Sequence, residues 1–81
     1  MTKKELIKAF ETILDICYDE GNEELDKEII IIQEKIKDPN SETNLKKAIE
    51  EIIDIIPIYC EDFDKTKYNE IKEIFIEAYE I

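Results

Sequence analysis

The sequence predicts an all-α protein, folded as a compact antiparallel up-down-up-down four-helix bundle. Apolar residues recur at steps of three and four in four successive segments, which is the spacing of one face of a helix. The 81 residues include a single Gly and two Pro, too few turn-forming residues for many hairpins. The length suits one small domain, and no repeat or linker divides the chain, so residues 1–81 are expected to form one helical domain.

The first helix is expected over residues 3–20. Thr2 and Glu5 have the spacing of a capping box. Gly21 suits the left-handed residue that ends many helices. The apolar stripe that would face the core consists of Leu6, Phe10, Ile13, Leu14 and Cys17.

The second helix is expected over residues 23–37, with Asn22 as its N-cap and Asp38-Pro39 closing it. The four consecutive isoleucines from residue 29 to residue 32 are also compatible with a buried strand. A lone strand would have no partner, however, and helical spacing continues through the run. The core stripe of this second helix is Leu25, Ile29, Ile32 and Ile36.

The third helix is expected over residues 42–56, starting after Ser41. Pro57 lacks a backbone N–H and crowds the turn before it, so we expect the helix to end or kink there. Residues 58–60 would then be an irregular extension. The core stripe is Leu45, Ile49, Ile52 and Ile56.

The fourth helix is expected over residues 65–80. Asp64 is its expected N-cap, and Phe63 with Tyr68 has the spacing of a hydrophobic staple. Its core stripe is Ile71, Phe75, Ala78 and Tyr79.

A twelve-residue window from Asp62 has the ligand spacing of an EF-hand calcium loop. Its oxygen-bearing side chains are Asp62, Asp64, Thr66, Glu70 and Glu73. The sixth position of such a loop needs Gly for its sharp turn, but here it is Lys67. A helix cap with a staple explains the same residues, so we expect no metal site.

No other pattern indicates catalysis or a cofactor. The chain has no His, which excludes His-containing metal sites and His-based catalytic triads. Among so many acidic residues, a pair of carboxylates arises by chance, and nothing nearby would hold a phosphate or carboxylate substrate. The sequence therefore predicts that the protein is not an enzyme and uses no cofactor.

The formal net charge is −11, with 22 acidic residues and 11 basic ones, all of them Lys. Such a charge disfavours direct binding to nucleic acid or to an anionic membrane and favours a basic protein partner. No segment reaches the ~18 apolar residues of a membrane span, and no signal-peptide core is recognisable, so we expect a cytoplasmic protein without membrane insertion. Cys17 and Cys60 are expected to be reduced and partly buried.

In the expected topology, the connection between helices 1 and 2 and the connection between helices 3 and 4 share one end of the bundle. The carboxylates at that end are called the acidic pole: Asp15, Asp19, Glu20, Glu23, Glu24, Asp26, Asp54, Glu61, Asp62 and Asp64. Lys residues gather at the opposite end. The helix dipole explains acids at the start of helix 2, but not those late in helices 1 and 3, so function and chance both remain open.

Three tyrosines, Tyr18, Tyr59 and Tyr68, are expected at the same end, an arrangement typical of binding hot spots. The candidate partner-binding residues are Asp15, Tyr18, Asp19, Glu20, Glu23, Tyr59, Glu61, Asp62 and Asp64. Some isoleucines lie off the core stripes and suit either a broad core or a surface for a homodimer or partner. They are Ile30, Ile31, Ile53, Ile55, Ile74 and Ile76.

In size, charge, helix count and tyrosines among carboxylates, the chain resembles small acidic all-helical bacterial immunity proteins. These neutralise nuclease bacteriocins or the toxins of contact-dependent inhibition. The tandem Tyr-Tyr of the DNase-colicin immunity family is absent, so no residue role carries over. The resemblance implies a protein that occludes the basic cleft of a toxin, with fast, salt-sensitive association.

Three alternatives remain open. A phage-type DNA mimic would carry carboxylates along a whole face, not only at one pole. A pediocin-like bacteriocin immunity protein would need an apolar or basic end that faces the membrane. A structural or regulatory module would dimerise through the isoleucines off the core stripes.

Overall fold

Four helices account for most of the chain in the computed structural model, which describes residues 3–36 and 41–79. They are α1 (Lys3–Asp19), α2 (Glu23–Lys35), α3 (Glu42–Tyr59) and α4 (Lys65–Tyr79). Thr2, Asp38 and Pro39, which entered the expected caps, lie outside the described residues, as do the side chains of Ala78 and Tyr79. The expected all-α four-helix bundle is confirmed.

Two contacts between distant segments establish that the helices alternate in direction. The side chain of Asn22, between α1 and α2, donates to the carbonyl of Tyr59 at the end of α3, over 3.4 Å. The ammonium of Lys67, at the start of α4, lies 3.0 Å from a carboxylate oxygen of Asp19 at the end of α1. Both connections therefore lie at one end, as an up-down-up-down bundle requires.

The bundle is flattened and not square. α1 packs against α3 across the centre, whereas the described parts of α2 and α4 do not touch each other. The Cα atoms accordingly span 32 × 25 × 17 Å. α1 and α3 form the central pair, with α2 and α4 on their flanks, so α2 and α4 each leave a broad face without a helical neighbour.

The core lies where the apolar stripes meet. Ile13, Ile49 and Ile52, on the two central helices, are fully buried. Each such side chain contributes about 1.5–3 kcal/mol of transfer free energy. The stripe residues that the structure buries are Leu6, Phe10, Ile13, Leu14, Cys17, Leu25, Ile29, Ile32, Leu45, Ile49, Ile52, Ile56 and Ile71. Ile36 and Phe75 are partly buried against this core.

Three of the local signals expected at the helix ends are confirmed, those of Gly21, Asn22 and Ser41. Gly21 has a φ of 74°, the left-handed conformation that Gly adopts without a steric penalty. The Asn22 side chain accepts a hydrogen bond of 2.9 Å from the amide of Leu25. The Ser41 hydroxyl accepts one of 3.3 Å from the amide of Asn44. Each cap satisfies a backbone donor that the helix leaves unpaired.

The end of α2 differs from the expected boundary at residue 37. Lys35 is its last helical residue, and Ile36 has extended backbone with φ −73° and ψ 105°. The amide of Ile36 donates to the carbonyl of Gln33, a tightened last turn. The turn leaves the Ile36 side chain packed against the core.

Of the two outcomes expected at Pro57, an end or a kink of the third helix, the end at residue 56 is wrong. α3 runs to Tyr59 with Pro57 inside it, so Ile58 and Tyr59 are helical and only Cys60 lies beyond. Pro57 has no N–H to donate to the carbonyl four residues earlier, that of Ile53. The hydroxyl of Tyr68, on α4, donates to that carbonyl instead, over 3.2 Å. A side chain from the neighbouring helix thus replaces the missing backbone donor.

We expect Tyr68→Phe to lower the free energy of unfolding by about 1 kcal/mol, since it removes this hydrogen bond and keeps the ring. In a Pro57→Ala background the backbone N–H returns, so the same substitution should have almost no effect. Urea unfolding of the four proteins of this cycle measures the difference. An equal loss in both backgrounds would show that the hydroxyl does not replace the proline's missing donor.

Candidate protein-binding site

The acidic pole is assembled from four helix ends. The C-terminal ends of α1 and α3 and the N-terminal ends of α2 and α4 meet there, joined by residues 20–22 and 60–64. Most carboxylates of the acidic pole are exposed, and Glu20 and Asp26 are partly buried. The structure thus brings the predicted acidic residues to one end of the molecule.

Two of these carboxylates already have structural roles. Asp64 accepts hydrogen bonds from the amides of Thr66 and Lys67, at 2.8 and 3.1 Å, which confirms it as the N-cap of α4. Asp62 accepts a hydrogen bond from the Cys60 thiol at 3.3 Å. The rings of Phe63 and Tyr68 meet edge to face with centroids 6.4 Å apart, as the staple predicts.

A lysine that the sequence analysis did not assign to this end lies within the acidic pole. The ammonium of Lys67 is 3.0 Å from Asp19 and 3.8 Å from Glu20. The hydrogen bond from Lys67 to Asp19 raises the pKa of the lysine. The position of Lys67 in the first turn of α4, beside the end of α1, was the signal that could have revealed the pair.

Other carboxylates of the acidic pole have no such partner. Asp15, Glu23, Glu24 and Glu61 are exposed, and no ion pair joins them to another described residue. Their charges face solvent without internal compensation. They are the carboxylates that a basic partner can reach without breaking a contact of the fold.

The three tyrosines of this end have different surroundings. Tyr18 donates to the side-chain oxygen of Gln33, at 2.8 Å, and so lies along α2. Tyr68 lies between α3 and α4, where its hydroxyl donates a hydrogen bond to the Ile53 carbonyl. Tyr59 is 36% exposed, and Ile58 beside it is 70% exposed. Ile58 was not predicted as a surface residue of α3, because the helix was expected to end at residue 56.

Both cysteines are unpaired and buried. Burial, with a smaller effect of the Asp26 carboxylate, raises the pKa of Cys17 from 9.0 to about 12. Burial, then the hydrogen bond to Asp62, raises the pKa of Cys60. One carboxylate oxygen of Asp26 is itself buried without a hydrogen-bond partner. These thiols are poor nucleophiles and do not suggest a reactive cysteine.

We expect Cys17 of the folded protein to react with iodoacetamide at pH 8 at least about a hundredfold more slowly than in urea, because the thiolate is the reacting species, and we expect the Cys60 thiol to be slowed as well. The unfolded Cys17 ionises near pH 9.0 and the folded one near 12. Its contribution to stability is therefore complete below pH 9 and is lost as the pH rises toward 12. Mass spectrometry of each cysteine peptide reports the rate, and labelling of native Cys17 at the unfolded rate would contradict its burial.

The described residues contain no group of three or more His, Cys, Asp or Glu side chains arranged to hold a metal ion. Thr66, Glu70 and Glu73 of the calcium-like window lie within α4, and the Asp64 carboxylate caps that helix. Among the described helices, none has the length and apolar character needed to cross a membrane. What the arrangement offers chemically is a set of exposed carboxylates beside Ile58 and Tyr59.

No known protein family, no curated protein and no solved structure matches the chain.

Proposed function

We propose that this chain is an immunity protein that binds a basic bacterial toxin, a nuclease, through its acidic pole and neutralises it. The observation that supports this proposal is the set of exposed carboxylates without an internal partner at one end of the bundle. Asp15, Glu23, Glu24 and Glu61 form that set. The proposal requires binding and no chemistry from this chain.

The mechanism follows from electrostatics. A nuclease must attract a phosphate backbone, so the cleft that binds its substrate is basic. Carboxylates at the acidic pole are complementary to such a cleft and accelerate the encounter at long range. Once bound, the bundle occupies the cleft and excludes nucleic acid.

Apolar anchors would hold the complex after the encounter. Tyr59 and Ile58 lie on the last turn of α3, within the same end of the molecule. Exposed aromatic and aliphatic side chains surrounded by charged residues are typical of binding hot spots. The charges would thus set the rate of association, and the anchors the lifetime of the complex.

The placement of the acids also favours binding over stability. Asp15 and Asp19 lie in the last two turns of α1, where the partial negative charge of the helix terminus opposes them. Of these two acids, Asp19 pairs with Lys67, and no ion pair joins Asp15 to another described residue. Carboxylates that oppose the local dipole destabilise the helix, and a function that uses their charge explains why they are there.

The test is protection of cells. The chain is co-expressed with each nuclease toxin domain found beside its gene, and growth is compared with cells that carry the toxin alone. We expect growth to be restored, and the association rate of the purified pair to fall about tenfold or more between low and high salt. Failure to protect, or association that does not respond to salt, would overturn the proposal.

One observation favours a DNA mimic as the second candidate. Glu70, Glu73 and Glu77 are exposed at steps of three and four on α4, so acidic side chains also line a helix face away from the acidic pole. A DNA mimic would displace duplex DNA from a DNA-binding enzyme through that face. Charge reversal on α4 would then abolish inhibition, whereas reversal at the acidic pole would not.

A further inference from the structure

A shallow groove runs between α2 and α3 and reaches the acidic pole at one end. Ile31 and Ile55 form its apolar floor beside the buried Ile32. The remaining lining residues are charged: Glu28, Lys35, Glu51 and Asp54. We call these residues the α2–α3 groove.

Ile58 extends the apolar floor toward the acidic pole. It lies three residues after Ile55 and four after Asp54 on α3, so the three share one face of the helix. Ile58 is 70% exposed and Ile31 is 43% exposed. Large apolar side chains exposed in a continuous strip, with a polar border, mark interaction surfaces.

The charge around this strip has one dominant sign. Glu28, Glu51 and Asp54 border the isoleucines, and no ion pair joins these three carboxylates to another described residue. Lys35, the one lysine of the lining, lies at the end of α2 away from the acidic pole. A ligand of this groove must therefore be apolar in its centre and basic along its edges.

We propose that the α2–α3 groove binds an amphipathic helix of a basic protein, with an apolar stripe on the isoleucines and Lys or Arg beside the carboxylates. A helix laid in a groove between two helices is a common mode of recognition. From Lys35 to Glu28, α2 contributes about 10 Å of groove, which spans roughly two turns of a bound helix. The inference rests on the proposed function only in taking the partner to be basic.

Charge argues against a second copy of this chain as the occupant. Each copy has a formal net charge of −11, and its groove is bordered by carboxylates. Two grooves placed face to face would bring like charges together, which is costly at an interface. A basic helix meets the same carboxylates with a favourable interaction.

The groove between α3 and α4 is less suited to a basic ligand. It is lined by Ile53, Phe75 and Ile76 together with two carboxylates, Glu50 and Asp54, and one lysine, Lys72, so its excess of negative charge is smaller than that of the α2–α3 groove. The ammonium of Lys72 stands 4.8 Å from the centre of the Tyr68 ring and places a positive charge there. Ile76 in that groove therefore supplies a control position.

The probe is a synthetic helix of about 18 residues, roughly five turns, built from a Leu stripe flanked by Lys. A scrambled peptide of the same composition is the control for charge alone. The test variant of the full chain is Ile31→Gln with Ile58→Gln. The matched variant is Ile30→Gln with Ile76→Gln, which removes the same number of exposed isoleucines outside the α2–α3 groove.

We expect the test variant to bind the probe about tenfold more weakly and the matched variant to stay within about twofold of the original chain. Isoleucine methyl NMR should place the probe at Ile31 and Ile55. The proposal would be overturned if the two variants lost the same affinity for the probe. It would also be overturned if the scrambled peptide bound as tightly as the probe. If sedimentation showed that the original chain is a dimer and the test variant a monomer, the groove would bind a second copy of the chain. That result would overturn the proposal as well.

The toxin assay separates this inference from the proposed function. If Ile31→Gln alone, which leaves Ile58 and the acidic pole intact, protects cells fully while charge reversal at the acidic pole abolishes protection, the toxin does not use the groove, and probe binding decides this inference by itself. If neither the original chain nor any variant protects, the proposed function fails, and probe binding still decides whether the groove takes a basic helix.

Discussion

Replacing Ile49 by Ala should lower the free energy of unfolding by about 3–4 kcal/mol, since the change removes buried methyl groups and leaves a cavity. Ile49 is fully buried on α3, one of the two central helices. A small domain has only about 5–15 kcal/mol of stability in total, so this loss is a large fraction. Chemical denaturation followed by circular dichroism measures it directly.

Ile76→Ala is the matched control. Ile76 lies on α4, is 52% exposed, and undergoes the same chemical change. Its loss should stay below about 1 kcal/mol, because a side chain already in water leaves no cavity. If the two substitutions had equal effects, the assignment of the core to the α1–α3 contact would be wrong.

Reversing three charges of the acidic pole should weaken toxin binding at least about a hundredfold, because attraction to the basic cleft becomes repulsion. The substitutions are Glu23→Lys, Glu24→Lys and Glu61→Lys. These side chains are exposed and make no ion pair with another described residue, so the fold should survive their replacement. The variant leaves Asp64 unchanged because Asp64 caps α4, and it leaves Asp19 unchanged because Asp19 pairs with Lys67.

The control reverses three acids away from the acidic pole: Glu34→Lys, Glu42→Lys and Glu77→Lys. Both triple variants change the net charge equally; the acidic-pole variant places two lysines in the first turn of a helix, and the control places one. We expect the control to keep its affinity within about tenfold and to protect cells from the toxin. Equal weakening of both variants would mean that net charge, and not the acidic pole, governs binding.

Features that depend on neighbouring residues in sequence were predicted well. The apolar stripes follow from helical periodicity, and Gly21, Asn22, Ser41 and Asp64 act at helix ends through contacts within three residues. Such contacts form inside one segment and need no knowledge of the tertiary fold. The four helices and their order follow from them.

Features that depend on two distant segments were not predicted. Pro57 was expected to end or kink α3, because the loss of its backbone N–H is visible in the sequence, whereas the compensating hydroxyl of Tyr68 comes from another helix. The pairing of Lys67 with Asp19 likewise requires the packing of α4 on α1. The flattened arrangement with α1 and α3 at its centre was not predicted either, because it depends on how distant helices pack.

The candidate site was predicted in outline only. Topology and the sequence positions of the acids suffice to place the acidic pole. They do not reveal that Asp62 and Asp64 have internal hydrogen bonds, or that Tyr18 turns toward Gln33. The α2–α3 groove was foreseen only as isoleucines off the core stripes, since the shape between two helices depends on how closely they pack.

The hydroxyl of Tyr68 on the Ile53 carbonyl also has a consequence for local unfolding. Because that carbonyl has no backbone donor from Pro57, its hydrogen bond to Tyr68 forms only when α4 is docked. Detachment of α4 should therefore release the amides of Ile58, Tyr59 and Cys60 to solvent exchange in the same opening event. The docking of α4 thus supports the part of the bundle that presents Ile58 and Tyr59, together with the hydrogen bond from Asn22 to the Tyr59 carbonyl.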